Sequence, residues 1–177
     1  MTLWKSLPTG RNPPDIITVI VETPRGSKNK YEVSKDYDAF VLDRVLHSSV
    51  VFPIEYGMVP RTFCDDGDAI DAMVMISEPT FTGCVLEVRP IGLLRMRDEK
   101  GADDKVLTVA TGDPRYAVWH ELGDIPPHIL DEISEFFKTY KHLEEGKNTQ
   151  VLGWEGRPSA LKAVTDGQTL FHKQFSD

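Results

Sequence analysis

The spacing of apolar residues changes once along this chain, near residue 110, and that change limits the folds open to it. From Asp15 to about Val109 the text is strand-like. "DIITVIVE" is rich in β-branched residues, "KYEV" alternates, and "DAFVLDRVL", "DAMVMI" and "CVLEVRPIGLLRM" follow, separated by turn residues. "DEKGADDK" (98–105) reads as a hairpin loop joining "GLLRMR" to "KVLTVA". Beyond it, "DIPPHILDEISEFFKTYKHLEE" places Ile129, Ile133, Phe136, Phe137, Tyr140 and Leu143 at helical spacing, behind prolines suited to a first turn. "NTQVLGW" predicts one more strand, and "RPSALKAV" opens a closing helix. Short strands followed by helices give an α+β class, and strands this short favour a small closed barrel with helices packed outside. Residues 1–14, rich in Pro and Gly, read as an irregular arm on a single domain spanning 1–177.

A domain of this length buries roughly 70% of its unfolded surface and needs no disulfide scaffold. Cys64 and Cys84 form no C-x-x-C pair and read as reduced thiols. The longest apolar runs, "IITVIV" and "AMVMI", are too short to span a bilayer, and the first fourteen residues hold no signal-peptide h-region. The expectation is a cytoplasmic protein. A formal net charge of −8 argues against nucleic acid or an anionic membrane as partner, because both need a basic face. It also opposes a phosphate substrate, unless bound divalent cations reverse the local field.

Such cations have candidate ligands. "DDGDAIDAMV" (65–74) crowds four aspartates into seven positions beside an apolar strand. Two carboxylates about 4 Å apart repel by roughly 4 kcal/mol at an effective dielectric near 20. Either they splay into water, as acidic loops usually do, or a cation holds them together. A loop entering the strand at Asp71 lets Asp66, Asp68 and Asp71 converge, with Gly67 permitting a tight turn, and clustered hard oxygens suit Mg²⁺ or Mn²⁺. A calcium EF-hand is excluded: counted from Asp66, its positions 5, 6 and 12 would be Ile70, Asp71 and Ser77. Asp98, Asp103 and Asp104, with Lys105 beside them, make a second acidic cluster that on its own reads as an exposed polar turn.

The strands also carry charge at core-like positions. Glu22 is in phase with Thr18 and Ile20, Lys30 and Glu32 alternate with Tyr31 and Val33, and Arg44 shares a face with Phe40 and Leu42. Singly, each fits an edge strand or a snorkelling stem. Together they predict a polar cavity inside the barrel, since an unpaired buried charge costs several kcal/mol. The helix that buries Phe136 and Phe137 adds Tyr140 and Lys141. No Walker or Rossmann glycine motif is present, and the five histidines show no H-x-x-x-H pattern. Carboxylates, cations and tyrosines without a Ser or Cys nucleophile motif point to metal-dependent hydrolysis of a small phosphate ester or anhydride.

At "DGDAIDA" (66–72) the chain resembles the signature of family I soluble inorganic pyrophosphatases, D-[SGDN]-D-[PE]-[LIVMF]-D-[LIVMGAC]. The resemblance continues in order through "VIVETP", "KYEV", "LDR", "EYGMVP", "RPIGLLRMRDEKGADDK", "FFKTYKHLE" and "GWEG". It implies a five-stranded OB-like barrel that hydrolyses pyrophosphate with Mg²⁺, several ions per site, or with Mn²⁺ or other divalent ions. By the same resemblance Asp66, Asp71 and Asp103 would hold the metal pair, and Asp68 would be the general base. Asp98 would join Asp103 on the ions that arrive with substrate, with Glu22 and Glu32 supporting that side. Lys30, Arg44, Tyr56, Lys105, Tyr140 and Lys141 would grip the phosphates. Two positions depart from the pattern. Ala69 replaces Pro or Glu at a position expected to point away from the metals. Glu55 replaces an Asn common in bacterial members, and as a carboxylate it could alter charge near the substrate. The compact length resembles prokaryotic members, which implies a homo-oligomer, a hexamer. The rival readings are a non-catalytic OB-type binding module and a metal-dependent hydrolase of another small phosphoanhydride.

Overall fold

A computed structural model of the chain describes residues 2–34, 36 and 38–175. Five strands close on themselves: β1 (Ile17–Thr23), β4 (Glu55–Met58), β5 (Asp71–Met75), β8 (Lys105–Ala110) and β6 (Val85–Asp98), which returns to β1. All neighbours in this circuit are antiparallel except β5 and β8, which run parallel. The α+β class and the small five-stranded barrel are thus as the sequence implied. β4, "EYGM", is the strand that alternation did not single out, being four residues long with a central glycine. That glycine is required: a Cβ on Gly57 would lie 2.0 Å from the Ile20 carbonyl oxygen of β1.

β6 is long enough to serve four partners. Its start pairs with β1, its middle with β8, and its second half with β9 (Thr149–Gly156). Its pairing with β8 shifts register between Pro90 and Gly92, where proline has no N–H to give to a ladder. The expected hairpin over 98–105 is present, with β7 (Gly101–Ala102) folding back on Arg97 and Asp98. β2 (Asn29–Val33) and β3 (Phe40–Val45) stand apart as a two-stranded sheet outside the circuit.

α2 (Pro127–Thr139) begins on Pro126–Pro127 and buries Ile133, Phe136 and Phe137. Phe136 meets Phe52 at 4.8 Å between ring centroids, within a core that includes Met73, Leu94, Leu107 and Tyr56. Truncating an aromatic as buried as Phe137 costs about 3–5 kcal/mol. Leu143 was expected on the helix's apolar face, but α2 ends before it and the side chain is exposed. α3 (Arg157–Phe175) buries Ala160, Val164 and Gly167 against a second cluster containing Ile70, Ala72 and Val74, and Phe171 against Trp4. Within the N-terminal arm, Leu3–Ser6 forms a short helix, α1, and an isolated bridge joins Asn12 to Ile16. Trp4 anchors it, donating from Nε1 to the Thr62 carbonyl at 3.0 Å and packing on Phe171 and Phe175.

Candidate active site

Asp71 and Lys105 open the two parallel strands and face each other across the ladder. Lys105 is almost wholly buried at 1% exposure, and its Nζ donates to Asp71 at 2.7 Å and to Asp103 at 2.8 Å. The Tyr56 hydroxyl donates to the same Asp71 oxygen, Oδ2, at 2.5 Å. Register therefore brings Asp71, the Lys105 amine and the Tyr56 phenol to one point, and Asp103 joins them from the turn before β8.

The loop leading into β5 is built by its own backbone. Gly67 adopts φ +87°, in the left-handed region open to glycine. Its N–H donates to the Cys64 carbonyl, the Cys64 N–H donates to the Asp68 carbonyl, and Asp66 Oδ1 caps the Asp68 N–H at 3.0 Å. Asp66, Asp68 and Asp71 consequently line one cavity, as a loop entry at Asp71 requires.

The opposite wall comes from the β2–β3 sheet, and two bulges shape what reaches the cavity. Between Lys30↔Arg44 and Tyr31↔Leu42 the register skips Asp43. Between Val21↔Gly57 and Thr23↔Tyr56 it skips Glu22. A bulge re-aims side chains that strict alternation would send elsewhere. Asp43 thus stands beside both Lys30, at 3.2 Å, and Arg44, and Glu22 accepts the Val33 N–H at 2.8 Å. Lys30 also reaches Glu32 at 3.2 Å. Because these strands lie outside the circuit, the polar cavity expected inside the barrel is formed instead between barrel and hairpin.

The end of α2 and the 98–105 hairpin complete the enclosure. Tyr140 caps α2, and the Lys141 ammonium meets Asp98 at 3.1 Å. All thirteen residues to which the resemblance gives a site role line this one cavity of about 570 Å³. Alternation did not find Asp43, which the bulge delivers, nor Glu99, Lys100 and Lys147, which also line it. For three of them the signal was adjacency: Asp43 precedes Arg44, and Glu99 and Lys100 follow Asp98. Asp104 turns away to pair with Arg95 at 2.8 Å. Ala69, expected to point away, is on the cavity wall, where its methyl adds neither donor nor charge. Glu55 does the reverse: it is fully buried, accepts from the Arg25 and Thr80 N–H groups and the Thr80 hydroxyl, and is absent from the cavity lining. A larger groove of about 900 Å³ runs along α2, but its lining of Asp131, Glu132 and Glu135 with one cation, Lys138, suits no polyanion.

Protonation follows from burial. It pushes the Glu22 carboxyl up to about 8, against the hydrogen bond from Val33, and lifts Asp103 to about 6 against the pull of Lys105. Asp66 is also raised, by burial and by Asp68 and Asp71. Asp71 is the exception: burial pushes it up, yet Lys105 and Tyr56 hold it below the usual carboxylate range. Nine carboxylates against seven cationic side chains line the cavity, so a polyanion enters it only with additional positive charge. Among the described residues no three acidic, His or Cys side chains are gathered at the spacing of a formed metal site, and Lys105 sits between Asp71 and Asp103. The donor set nevertheless fits hard divalent cations: its oxygens are carboxylates, and burial disfavours their ionisation unless a positive charge compensates.

Comparison with known proteins agrees with this chemistry. The family model for inorganic pyrophosphatase matches residues 19–172. The chain belongs to the inorganic pyrophosphatase family. It is 47% identical over 176 residues to an inorganic pyrophosphatase of Haloferax volcanii, covering 99% of each chain. Against the Nostoc inorganic pyrophosphatase the identity is 54% over 160 residues, 90% of this chain and 94% of that one. The crystal structure of the Thermus thermophilus inorganic pyrophosphatase superposes with a TM-score of 0.92 at 43% identity, covering 95% and 98% of the two chains. The likeness to these relatives in sequence, and to the Thermus protein in fold, extends over 90% or more of this chain.

Proposed function

We propose that the chain hydrolyses inorganic pyrophosphate to two orthophosphates, using Mg²⁺ or a similar divalent cation. The observation that carries this reading is the single cavity that gathers nine carboxylates with seven cationic side chains, on a chain of this family. Asp66, Asp71, Asp98 and Asp103 would hold the ions, with Glu22 and Glu32 in support. Bound divalent cations supply Lewis-acid activation of water and neutralise phosphate charge.

The remaining work falls to the chain's own side chains. Asp68 accepts a proton as the oxygen of water bonds to one phosphorus. The bridging oxygen leaves with the other phosphoryl group, giving two orthophosphates. Lys30, Arg44, Lys141 and Lys105 spread the phosphates' negative charge over fixed cations, and the Tyr56 and Tyr140 hydroxyls donate hydrogen bonds. In this arrangement each of these four cations is already held by carboxylates: Lys30 and Arg44 by Asp43, Lys141 by Asp98, and Lys105 by Asp71. Substrate and cations together must therefore exchange partners with these internal bridges.

The same reading carries a homo-oligomer, with six copies expected, which light scattering measures. No described helix is long and apolar enough to cross a membrane. The substrate is tested by side-by-side turnover of pyrophosphate and ATP with Mg²⁺. The expected result is strong preference for pyrophosphate. Equal turnover would move the reading to a general phosphoanhydride hydrolase.

A further inference from the structure

The turn after α2 carries a carboxylate that the chemistry above does not use. Glu144 is buried, its side chain 6% exposed, and its Oε1 accepts from Arg44 Nε at 2.9 Å across 100 residues of sequence. Its backbone N–H donates to the Lys141 carbonyl at 2.9 Å, so the turn that presents Lys141 also presents Glu144. On the same seam His47 Nδ1 lies 3.4 Å from the Leu143 carbonyl. These contacts tie the end of β3 to the end of α2, two elements that lie on different walls of the cavity.

Arg44 shows what the tie achieves. A guanidinium is a rigid plane, so two fixed N–H groups define where the others point. Nε is committed to Glu144 and Nη1 to Asp43. Nη2 is buried and has no hydrogen-bond partner among the described residues, although Arg44 lines the cavity. Leaving a buried guanidinium nitrogen unpaired is costly, and an anion that accepts from it removes that cost.

We propose that Glu144 is the positioning residue for Arg44, fixing the guanidinium plane so that its uncommitted N–H groups meet a phosphate oxygen. This rests on the reading of the cavity as a pyrophosphate site. Asp43 holds the other edge of the plane, but it also serves Lys30, so Glu144 is the partner dedicated to Arg44.

The test measures kcat and KM for pyrophosphate, and calorimetric binding of imidodiphosphate, the non-hydrolysable P–N–P analogue, both with Mg²⁺. Glu144→Ala is expected to raise KM and the imidodiphosphate Kd about tenfold, the worth of one hydrogen bond to a charged group, with kcat within about twofold. Glu144→Gln keeps an acceptor oxygen and should recover most of that loss; it also keeps the test open if the alanine variant folds poorly. In an Arg44→Ala background, Glu144→Ala should add nothing. The inference is overturned by an unchanged KM and Kd in Glu144→Ala, by a loss of the same size when Arg44 is already absent, or by a Gln variant as weak as the Ala variant. Wild-type turnover of pyrophosphate distinguishes this from failure of the underlying reading, since only the latter abolishes it.

Discussion

The two walls of the cavity carry the same kinds of side chain in different physical states. On the barrel wall, Asp71, Lys105 and Tyr56 sit on closed strands, and their meeting is dictated by ladder register. Lys105 is 1% exposed and is held between Asp71 and Asp103. On the hairpin wall, Lys30 and Arg44 stand on a half-buried two-stranded sheet, side chains 17% and 22% exposed, held by bridges to Asp43, Glu32 and Glu144. Backbone fixes the first set and side chains fix the second. The barrel wall is therefore suited to holding charge in one geometry, and the hairpin wall to exchanging partners when substrate arrives.

The largest expected effect is on the barrel side. Asp68→Asn should lower kcat about 10²- to 10⁴-fold with an unchanged melting curve, because it removes a proton acceptor and keeps the shape. Wild-type turnover by a folded variant would sink the assignment. Next comes a paired measurement that could break the comparison. Lys105→Ala leaves buried carboxylates unpaired and should cost about 3–5 kcal/mol in denaturant unfolding. Lys30→Ala should cost about 1 kcal/mol or less, while both reduce turnover. Equal stability losses would mean that the hairpin is as fixed as the barrel.

A smaller effect concerns Glu22. Burial raises its pKa from 4.5 to about 8, so between those values the folded state holds a proton that the unfolded state has released. The group thus subtracts stability progressively as pH rises from about 4.5 to about 8, and the loss is constant above that. In chelator, Glu22→Gln should be more stable than wild type at pH 8.5, by up to about 5 kcal/mol, and equal to it below pH 4. A gain that does not vary with pH would show that packing, not ionisation, is responsible.

Much of this molecule was legible in its sequence, and the gaps have physical causes. The change of hydrophobic period located the helices, and β-branched runs located the long strands, because burial on one face leaves a pattern. β4 was missed because four buried residues, one of them a glycine, leave none. Leu143 was misplaced because periodicity continues past the point where α2 stops. The site's aspartates could be read because Gly67 and the apolar strand after them require a turn, whereas Asp43 and Glu144 could not. Asp43 reaches the cavity through a bulge that breaks alternation, and Glu144 acts across 100 residues, a distance local patterns do not encode. Glu55, whose charge raised a question about the substrate, is settled by phase: it lies one residue from Tyr56 on a strand and so faces away.

The most direct test is orthophosphate release from pyrophosphate, measured with Mg²⁺ and again with chelator in its place. Fast release that disappears on chelation and returns with added Mg²⁺ is the predicted result. No release from folded, Mg²⁺-supplied protein would contradict the account, leaving a cavity that binds without catalysing.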